Sequence, residues 1–193
     1  ERIATMHYKL GEAHLFQGRP DEALVTLKKC IALRPNDPVT YKVRLLASQI
    51  LLQLNNIEDA ESLLKENLDQ DALTPESVEW RDSLFQLGKV LFRDAAMLET
   101  QSKLEGLEGE GAQNSDGGSD TLEKSHSRFQ EAILRLNEAV RRYQGEVSTF
   151  EHRYLLAEAY RQSAKWPEKQ SESVNVRTTK FQLQEQARDF YQK

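Results

Sequence analysis

The stretch that decides the fold is residues 10–35, which read LGEAHLFQGRPDEALVTLKKCIALRP. Its apolar side chains recur at helical spacing in two runs, separated by Gly18 and Pro20. Proline suits the first turn of a helix, so the second run begins there. Gly11 and Ala23 are small at positions where two facing helices must approach closely. The stretch therefore predicts a hairpin of two antiparallel helices.

The same pattern returns further along the chain, and this predicts an array of repeated hairpins. In a second copy, Ala60 follows Ala23 by 37 residues and Asn55-Asn56 replace the glycine turn. A third copy has Gly88 in its first helix and Ala132 in its second helix, and a fourth copy spans residues 147–193.

The glycine-rich residues 105–119 are predicted to be a flexible loop inside the third hairpin, because they divide one repeat. Gly11 and Ala23 are 12 residues apart, whereas Gly88 and Ala132 are 44 apart, so 32 residues are inserted. We expect the two lengthened helices to project from the array as a spur. An insertion of 18 residues is predicted in the fourth hairpin.

Periodicity and capping signals together place eight helices along the chain. Thr74-Pro75 is expected to start the fifth helix, and Asp120, with a glutamate three residues later, the sixth. The predicted helices are residues 2–17, 20–33, 38–54, 56–69, 75–104, 120–144, 147–165 and 175–193.

The order of these residues resembles the tetratricopeptide repeat (TPR) family, whose period is about 34 residues. The motif is Leu10-Gly11, a ring residue, Gly18, Glu22-Ala23, a small residue and a closing proline. His14 stands where the family usually has tyrosine, and Cys30 where it usually has alanine. The resemblance implies an all-α, right-handed α-solenoid of about four TPR-like helical hairpins. Residues 1–193 would form a single domain, with repeats at about 2–35, 38–69, 75–144 and 147–193, the last truncated.

Composition excludes several classes of protein. Hydrophobic residues make up 38% of the 193 residues and charged residues 30%, and the net charge of -5 disfavours a nucleic-acid partner. The single cysteine, Cys30, cannot form an internal disulfide and is expected to be a small buried residue. The longest apolar run, residues 45–54, is too short for a membrane span, so no membrane contact is expected.

The sequence carries no catalytic signature, so no enzyme activity and no cofactor is expected. His7 and His14 share a helix, but no further ligand completes a metal set. The aspartates near residue 116 fail the spacing of a calcium loop. We expect these 193 residues to be a fragment of a longer protein. A cytoplasmic location is slightly favoured over a membrane-anchored or secreted parent, and the oligomeric state stays open.

The resemblance implies a protein- or peptide-binding scaffold whose first helices line a concave groove. The alternative is a regulatory or structural repeat segment of a larger enzyme or cell-envelope protein. For the aromatic residues of the groove, packing between neighbouring hairpins is an equal alternative to partner binding. Glu12 would repel a C-terminal carboxylate, so acidic chaperone tails are not expected to bind. The predicted groove residues are Tyr8, Glu12, Leu15, Leu45, Gln49, Leu52, Phe85, Lys89, Phe92, Tyr154, Glu158 and Arg161.

Overall fold

The computed structural model describes residues 2–69, 71–108, 117–145 and 149–193. These residues form nine α-helices and no strand, so the predicted all-α fold of TPR-like helical hairpins is confirmed. The helices are α1 (Arg2–Phe16), α2 (Pro20–Leu33), α3 (Pro38–Gln53), α4 (Ile57–Leu68), α5 (Val78–Glu108), α6 (Gly117–Arg142), α7 (Thr149–Ser163), α8 (Lys165–Ser173) and α9 (Arg177–Gln192).

The chain divides into two compact units, Glu1–Val90 and Leu91–Lys193. The first unit contains α1 to α4 and the beginning of α5, and the second contains the rest of α5 and α6 to α9. Each unit has its own apolar core. The single-domain organisation over residues 1–193 stays a prediction.

In the first hairpin, α1 and α2 pack closely because small residues lie between them. A Cβ atom added to Gly11 would lie only 2.6 Å from Cδ2 of Leu27. Ala23 has no exposed surface and belongs to the core of the first unit, together with Leu27 and Cys30. The predicted close approach of these two helices is therefore present in the structure.

The second hairpin, α3 and α4, repeats the first at a constant offset of 37 residues. Gly18 (φ 72°) and Asn55 (φ 60°) both adopt the left-handed backbone conformation at the turn between the two helices of their hairpin. Glycine adopts this conformation without steric cost, and asparagine tolerates it better than most residues do. Asn55 can therefore replace the glycine turn.

At the end of each hairpin that lies away from this turn, equivalent contacts join its two helices. The thiol of Cys30 lies 3.8 Å from the carbonyl oxygen of Ala4, and Asn67 Nδ2 donates to the carbonyl of Tyr41 over 2.9 Å. Burial raises the pKa of the Cys30 thiol, so it stays protonated at neutral pH. The prediction that Cys30 is a small buried residue is confirmed.

The fifth helix begins at Val78, three residues later than predicted from Thr74-Pro75. A turn precedes it, in which the Ser77 hydroxyl donates to the carbonyl oxygen of Thr74 over 2.7 Å. The same hydroxyl accepts from the backbone N–H of Trp80 at 3.3 Å, so the serine caps the helix. The prediction was wrong because proline favours the start of a helix but also fits the turn before it.

Within the second unit, the last part of α5 pairs with α6 in an antiparallel arrangement. The Ser125 hydroxyl donates to the carbonyl of Ala95 over 2.8 Å, and the Ser102 hydroxyl to that of Gly118 over 2.5 Å. The pairing therefore extends well beyond the turn position of the first hairpin. Helix α6 begins at Gly117, so the predicted start at Asp120 was wrong.

Both helices of this pair extend further into the predicted loop than expected, since α5 ends at Glu108 rather than at residue 104 and α6 begins at Gly117 rather than at residue 120. The remaining part of the predicted flexible loop, residues 109–116, lies outside the described residues. The projection of the pair as a spur stays a prediction.

Helix α8 was not predicted from the sequence, because residues 166–174 were assigned to an insertion. Pro167 is tolerated in the first turn of this helix, where its missing N–H would have no partner within the helix. The ring of His126 on α6 lies between α8 and α9, 6.5 Å from the Trp166 ring and 5.9 Å from the Phe190 ring. Its Nδ1 also lies 2.9 Å from the carbonyl oxygen of Ser163 at the end of α7.

Candidate functional site

The first helices of the first unit surround a pocket of about 210 Å³. Tyr8 comes from α1, Leu45 and Gln49 from α3, and Val78 and Asp82 from the start of α5. Lys42, Leu46 and Glu79 complete the wall. Three of the predicted groove residues, on two different helices, therefore lie around one concavity.

Tyr8 supplies a neutral hydroxyl at this site. Burial, followed by the hydrogen bond to Glu12 and the charge of that carboxylate, raises the pKa of Tyr8 to about 12. The hydroxyl therefore donates to Glu12 across the physiological range. The Lys9 ammonium, whose Nζ lies 2.7 Å from Oε2 of Glu12, lowers the pKa of Glu12 through the hydrogen bond that it donates.

Charges of both signs surround the pocket. The ammonium of Lys42 lies 3.5 Å from the carboxylate of Glu79, and the guanidinium of Arg81 lies 3.0 Å from that of Asp82. Leu45, Leu46 and Val78 add apolar surface to the wall of the same pocket. Such a surface can hold an apolar side chain and form hydrogen bonds to the polar groups beside it.

The other predicted residues of the first unit do not line this pocket. Leu15 is half-buried and packs against the core of the unit, and Leu52 and Lys89 are also half-buried. Phe85 is only 4% exposed, so its ring offers almost no surface to a partner. For Phe85, the structure favours the alternative of packing between hairpins over partner binding.

In the second unit, the predicted residues differ in their surroundings. Phe92 is half-buried and packs edge-to-face on Phe129 of the core, with ring centroids 5.6 Å apart. Tyr154 is 71% exposed. Glu158 and Arg161 form an ion pair on α7, with Oε1 and Nη2 2.5 Å apart. The hydrogen bond from Arg161 lowers the pKa of Glu158.

Five residues around the pocket were missed from the sequence. Lys42 and Leu46 flank Leu45 on α3, and Val78, Glu79 and Asp82 form the first turns of α5. A signal was available, because Lys42 and Asp82 lie three residues before the predicted groove residues Leu45 and Phe85. Residues at that spacing lie on the same face of a helix. The sequence did not place the start of α5 correctly, and therefore did not show that Val78, Glu79 and Asp82 lie beside the pocket.

The described residues contain neither a metal-ligand group nor a membrane-spanning helix. Among residues 2–69, 71–108, 117–145 and 149–193, no group of three or more His, Cys, Asp or Glu side chains is arranged to hold a metal ion. No helix in this described part of the chain combines the length and apolar character needed to span a bilayer.

Comparisons with solved structures found matches at low sequence identity. A crystal structure of MamA is 14% identical with a TM-score of 0.48, over 98% of this chain and 78% of that chain. A MamA RS-1 double mutant is 14% identical with a TM-score of 0.42, over 100% and 96%. TPR-like repeats of a Podosopora anserina kinesin light chain homologue are 15% identical with a TM-score of 0.41, over 96% and 93%. All three TM-scores are below 0.5.

The comparison with curated proteins found no match. A family model described as tetratricopeptide repeat matches residues 14–77, which extend from the end of α1 through α4. These residues include the turns at Gly18 and Asn55 and the two second helices that follow them. The match confirms the resemblance to the tetratricopeptide repeat family over residues 14–77 of the chain.

Proposed function

We propose that the chain is a non-catalytic, protein- or peptide-binding scaffold and forms a segment of a longer repeat protein. The binding site is the pocket in the first unit formed by Tyr8, Leu45, Gln49, Val78 and Asp82. The observation that carries the proposal is that three successive first helices contribute side chains to this one concavity.

The chemistry of the pocket favours a partner with an apolar side chain next to polar groups. Leu45 and Leu46 are half-buried, and Val78 is 53% exposed, so apolar surface is available to a ligand. Removing such surface from water contributes about 25 cal/mol per Å². Gln49 is exposed and carries both a donor and an acceptor.

A partner that ends in a free carboxylate fits this site poorly. Glu12, Glu79 and Asp82 lie on the helices that form the pocket, and none of them would tolerate a second carboxylate nearby. The intramolecular ion pairs with Lys9, Lys42 and Arg81 already engage the nearby cations. We therefore expect an internal segment of a protein, rather than an acidic C-terminus, to occupy the pocket.

Photocrosslinking from a single residue tests this assignment. A benzoyl-phenylalanine placed at Gln49 lies beside the pocket, whereas the same group at Lys29, also exposed, lies on the second helix α2. Both variants should melt like the parent protein, because both positions are exposed. We expect covalent capture of partner proteins from Gln49 and little or none from Lys29.

A second substitution links capture to the pocket itself. Val78→Glu places a carboxylate on its apolar wall, and this should reduce the yield of adducts from Gln49 at least about fivefold, equivalent to about 1 kcal/mol of binding free energy. Equal capture from Gln49 and Lys29, or adducts from Gln49 that Val78→Glu leaves unchanged, would show that the pocket is not the binding site.

A further inference from the structure

Helix α1 carries a row of exposed apolar side chains on the face opposite its own hairpin. Ile3 is 49% exposed, Met6 69% and Leu10 50%, and Ala13 is also exposed. These residues follow the spacing i, i+3, i+7 and i+10, which places them along one side of the helix. The opposite side, with Ala4 and Gly11, is buried against the hairpin.

The same row is buried in the next first helix, α3. The offset of 37 residues maps the α1 row onto Thr40, Val43, Ala47 and Ile50, all of which have no exposed surface. Helix α2 of the preceding hairpin packs against α3 and covers this side of it. Thr40 also donates its hydroxyl proton to the carbonyl of Arg34, directly after α2, over 2.6 Å.

The row is buried again at the start of α5, within the first unit. Gly11 in α1, Ser48 in α3 and Gly88 in α5 hold the same repeat position. This alignment maps the row onto Trp80, Ser83, Leu87 and Val90. Ser83, Leu87 and Val90 are buried, and Trp80 is half-buried. Asn67 on α4 donates to the Ser83 hydroxyl over 3.0 Å, so the preceding second helix reaches this row too.

Helix α7 in the second unit follows the same rule. Aligning Ala157 with Gly11 maps the row onto Thr149, His152, Leu156 and Ala159, and all four are buried or half-buried. Ala159 and Leu156 pack against Phe129 and Ile133 of the preceding helix α6. In three first helices, therefore, the row is the surface on which the preceding second helix lies. In α1 the row is apolar, and the residues described leave it exposed.

We propose that the α1 row, Ile3, Met6, Leu10 and Ala13, is the docking surface for a further helical hairpin of the same type, supplied by the same polypeptide ahead of α1. Its second helix would lie on α1 as α2 lies on α3. The inference rests on the part of the proposed function that makes this chain a segment of a longer repeat array. It does not depend on the pocket at Gln49.

Charge complementarity supports the same occupant. Lys28 on α2 forms an ion pair of 2.9 Å with Asp59 on α4, which links two successive hairpins. The residue corresponding to Asp59 in the first hairpin is Glu22, whose side chain is 52% exposed. A lysine in the docked helix, at the position that Lys28 holds in α2, would therefore meet a carboxylate.

The test extends the chain by one hairpin in register. A second copy of residues 1–37 is joined ahead of Glu1, which keeps the offset of 37 residues. In the extended protein, the duplicated α2 should cover the original α1. The original Met6 becomes buried there, and the Met6 of the added copy stays exposed. The two positions are identical in sequence, so each is the matched control for the other.

We expect Met6→Glu to leave the Tm of the 193-residue chain unchanged, since the side chain is 69% exposed. In the extended protein, Met6→Glu in the original hairpin should lower the Tm by roughly 5 °C or more, because it buries a charge. The same substitution in the added copy should leave the Tm unchanged. Equal effects at the two positions would overturn the proposal.

Sedimentation of the 193-residue chain tests a different occupant of the row. If a second copy of this chain covers the α1 row, the chain should form dimers that Met6→Glu dissociates, and this result would also overturn the proposal. We expect the sedimentation of the parent and of the Met6→Glu variant to be the same. None of these measurements involves Gln49, so the docking surface can fail while the binding pocket stands.

Discussion

Asn67 Nδ2 on α4 donates hydrogen bonds to the carbonyl oxygen of Tyr41 on α3, over 2.9 Å, and to the Ser83 hydroxyl on α5, over 3.0 Å. Asn67 is fully buried and thus joins two successive first helices through one amide. The first hairpin has Cys30 at the corresponding position, whose thiol lies 3.8 Å from the carbonyl oxygen of Ala4 and also interacts with the Thr40 side chain on α3. The same repeat position therefore gives weak thiol contacts in one hairpin and amide hydrogen bonds in the next.

Asn67→Ala should lower the free energy of unfolding by about 2 to 3 kcal/mol, because it leaves two buried partners without their donor. Urea unfolding at pH 7.5 measures this loss. Gln53→Ala, at an exposed position on α3, is the control and should change stability by less than about 0.5 kcal/mol. Similar losses for both variants would contradict the role assigned to Asn67.

Ala23→Leu should destabilise the chain by about 1 to 3 kcal/mol, because the added carbons enter a fully packed contact between α1 and α2. Ala32→Leu adds the same atoms at an exposed position of the same helix and should be nearly neutral. Thermal unfolding of the two variants decides the matter. If Ala23→Leu has the same melting temperature as the parent protein, the helix register assigned to the first hairpin is wrong.

Stability should fall as the pH is lowered below about 6.5, in part through His126. Burial lowers the pKa of His126 below its usual value of 6.5. The unfolded chain therefore takes up the proton first, and the contribution of the neutral ring is lost as the pH falls from 6.5 towards the lower folded pKa. Urea midpoints between pH 7.5 and 5.0 should show this decline.

His126→Gln is the control for the pH experiment, because glutamine does not titrate and retains a hydrogen-bonding group. The variant should show a smaller loss of stability between pH 7.5 and 5.0 than the parent protein does. An identical decline in the two proteins would mean that the ring between Trp166 and Phe190 does not contribute to the pH dependence.

Glu99→Ala should cost about 1 to 2 kcal/mol at pH 7.5, because this nearly buried carboxylate joins α5 to α8. It lies 2.6 Å from Nζ of Lys165 and 2.7 Å from that of Lys103. Burial raises the pKa of Glu99, but the hydrogen bonds from the two lysines outweigh burial and lower the pKa overall.

The contribution of Glu99 is therefore complete above the usual carboxyl pKa of 4.5 and is lost as the pH falls through the lowered value. Glu123→Ala removes an exposed carboxylate from α6 and serves as the matched control in the same urea titrations. A loss no greater for Glu99→Ala than for Glu123→Ala would show that the connection to α8 adds no stability.

Helical periodicity and small residues predicted most of the fold, since both depend on interactions within one hairpin. The positions of Gly11 and Ala23 specified the contact between α1 and α2, and Gly18 specified the turn. The start of α5 depends instead on whether the helix begins at Pro75 or after a cap at Ser77, and the local sequence allows either. Helix α8 was missed because its polar residues show no clear apolar face.

The candidate site was less predictable, because exposure depends on packing between hairpins. Tyr8, Leu45 and Gln49 lie around the pocket as the first-helix pattern implies. Phe85 occupies the same repeat position as Tyr8 and Leu45, in the third hairpin, but it is buried. The aromatic character that marked Phe85 as a binding residue is equally suited to a core, and sequence periodicity alone does not separate the two roles.

Hydrogen exchange of the chain with and without a captured partner tests the central claim most directly. We expect slower exchange in α1, in α3 and in residues 78–90 of α5 when the partner binds, with α2 and α4 unchanged. The Val78→Glu variant should lose this protection. Protection confined to α2 and α4, with none in α1 and α3, would contradict the assignment of the binding site to the first helices.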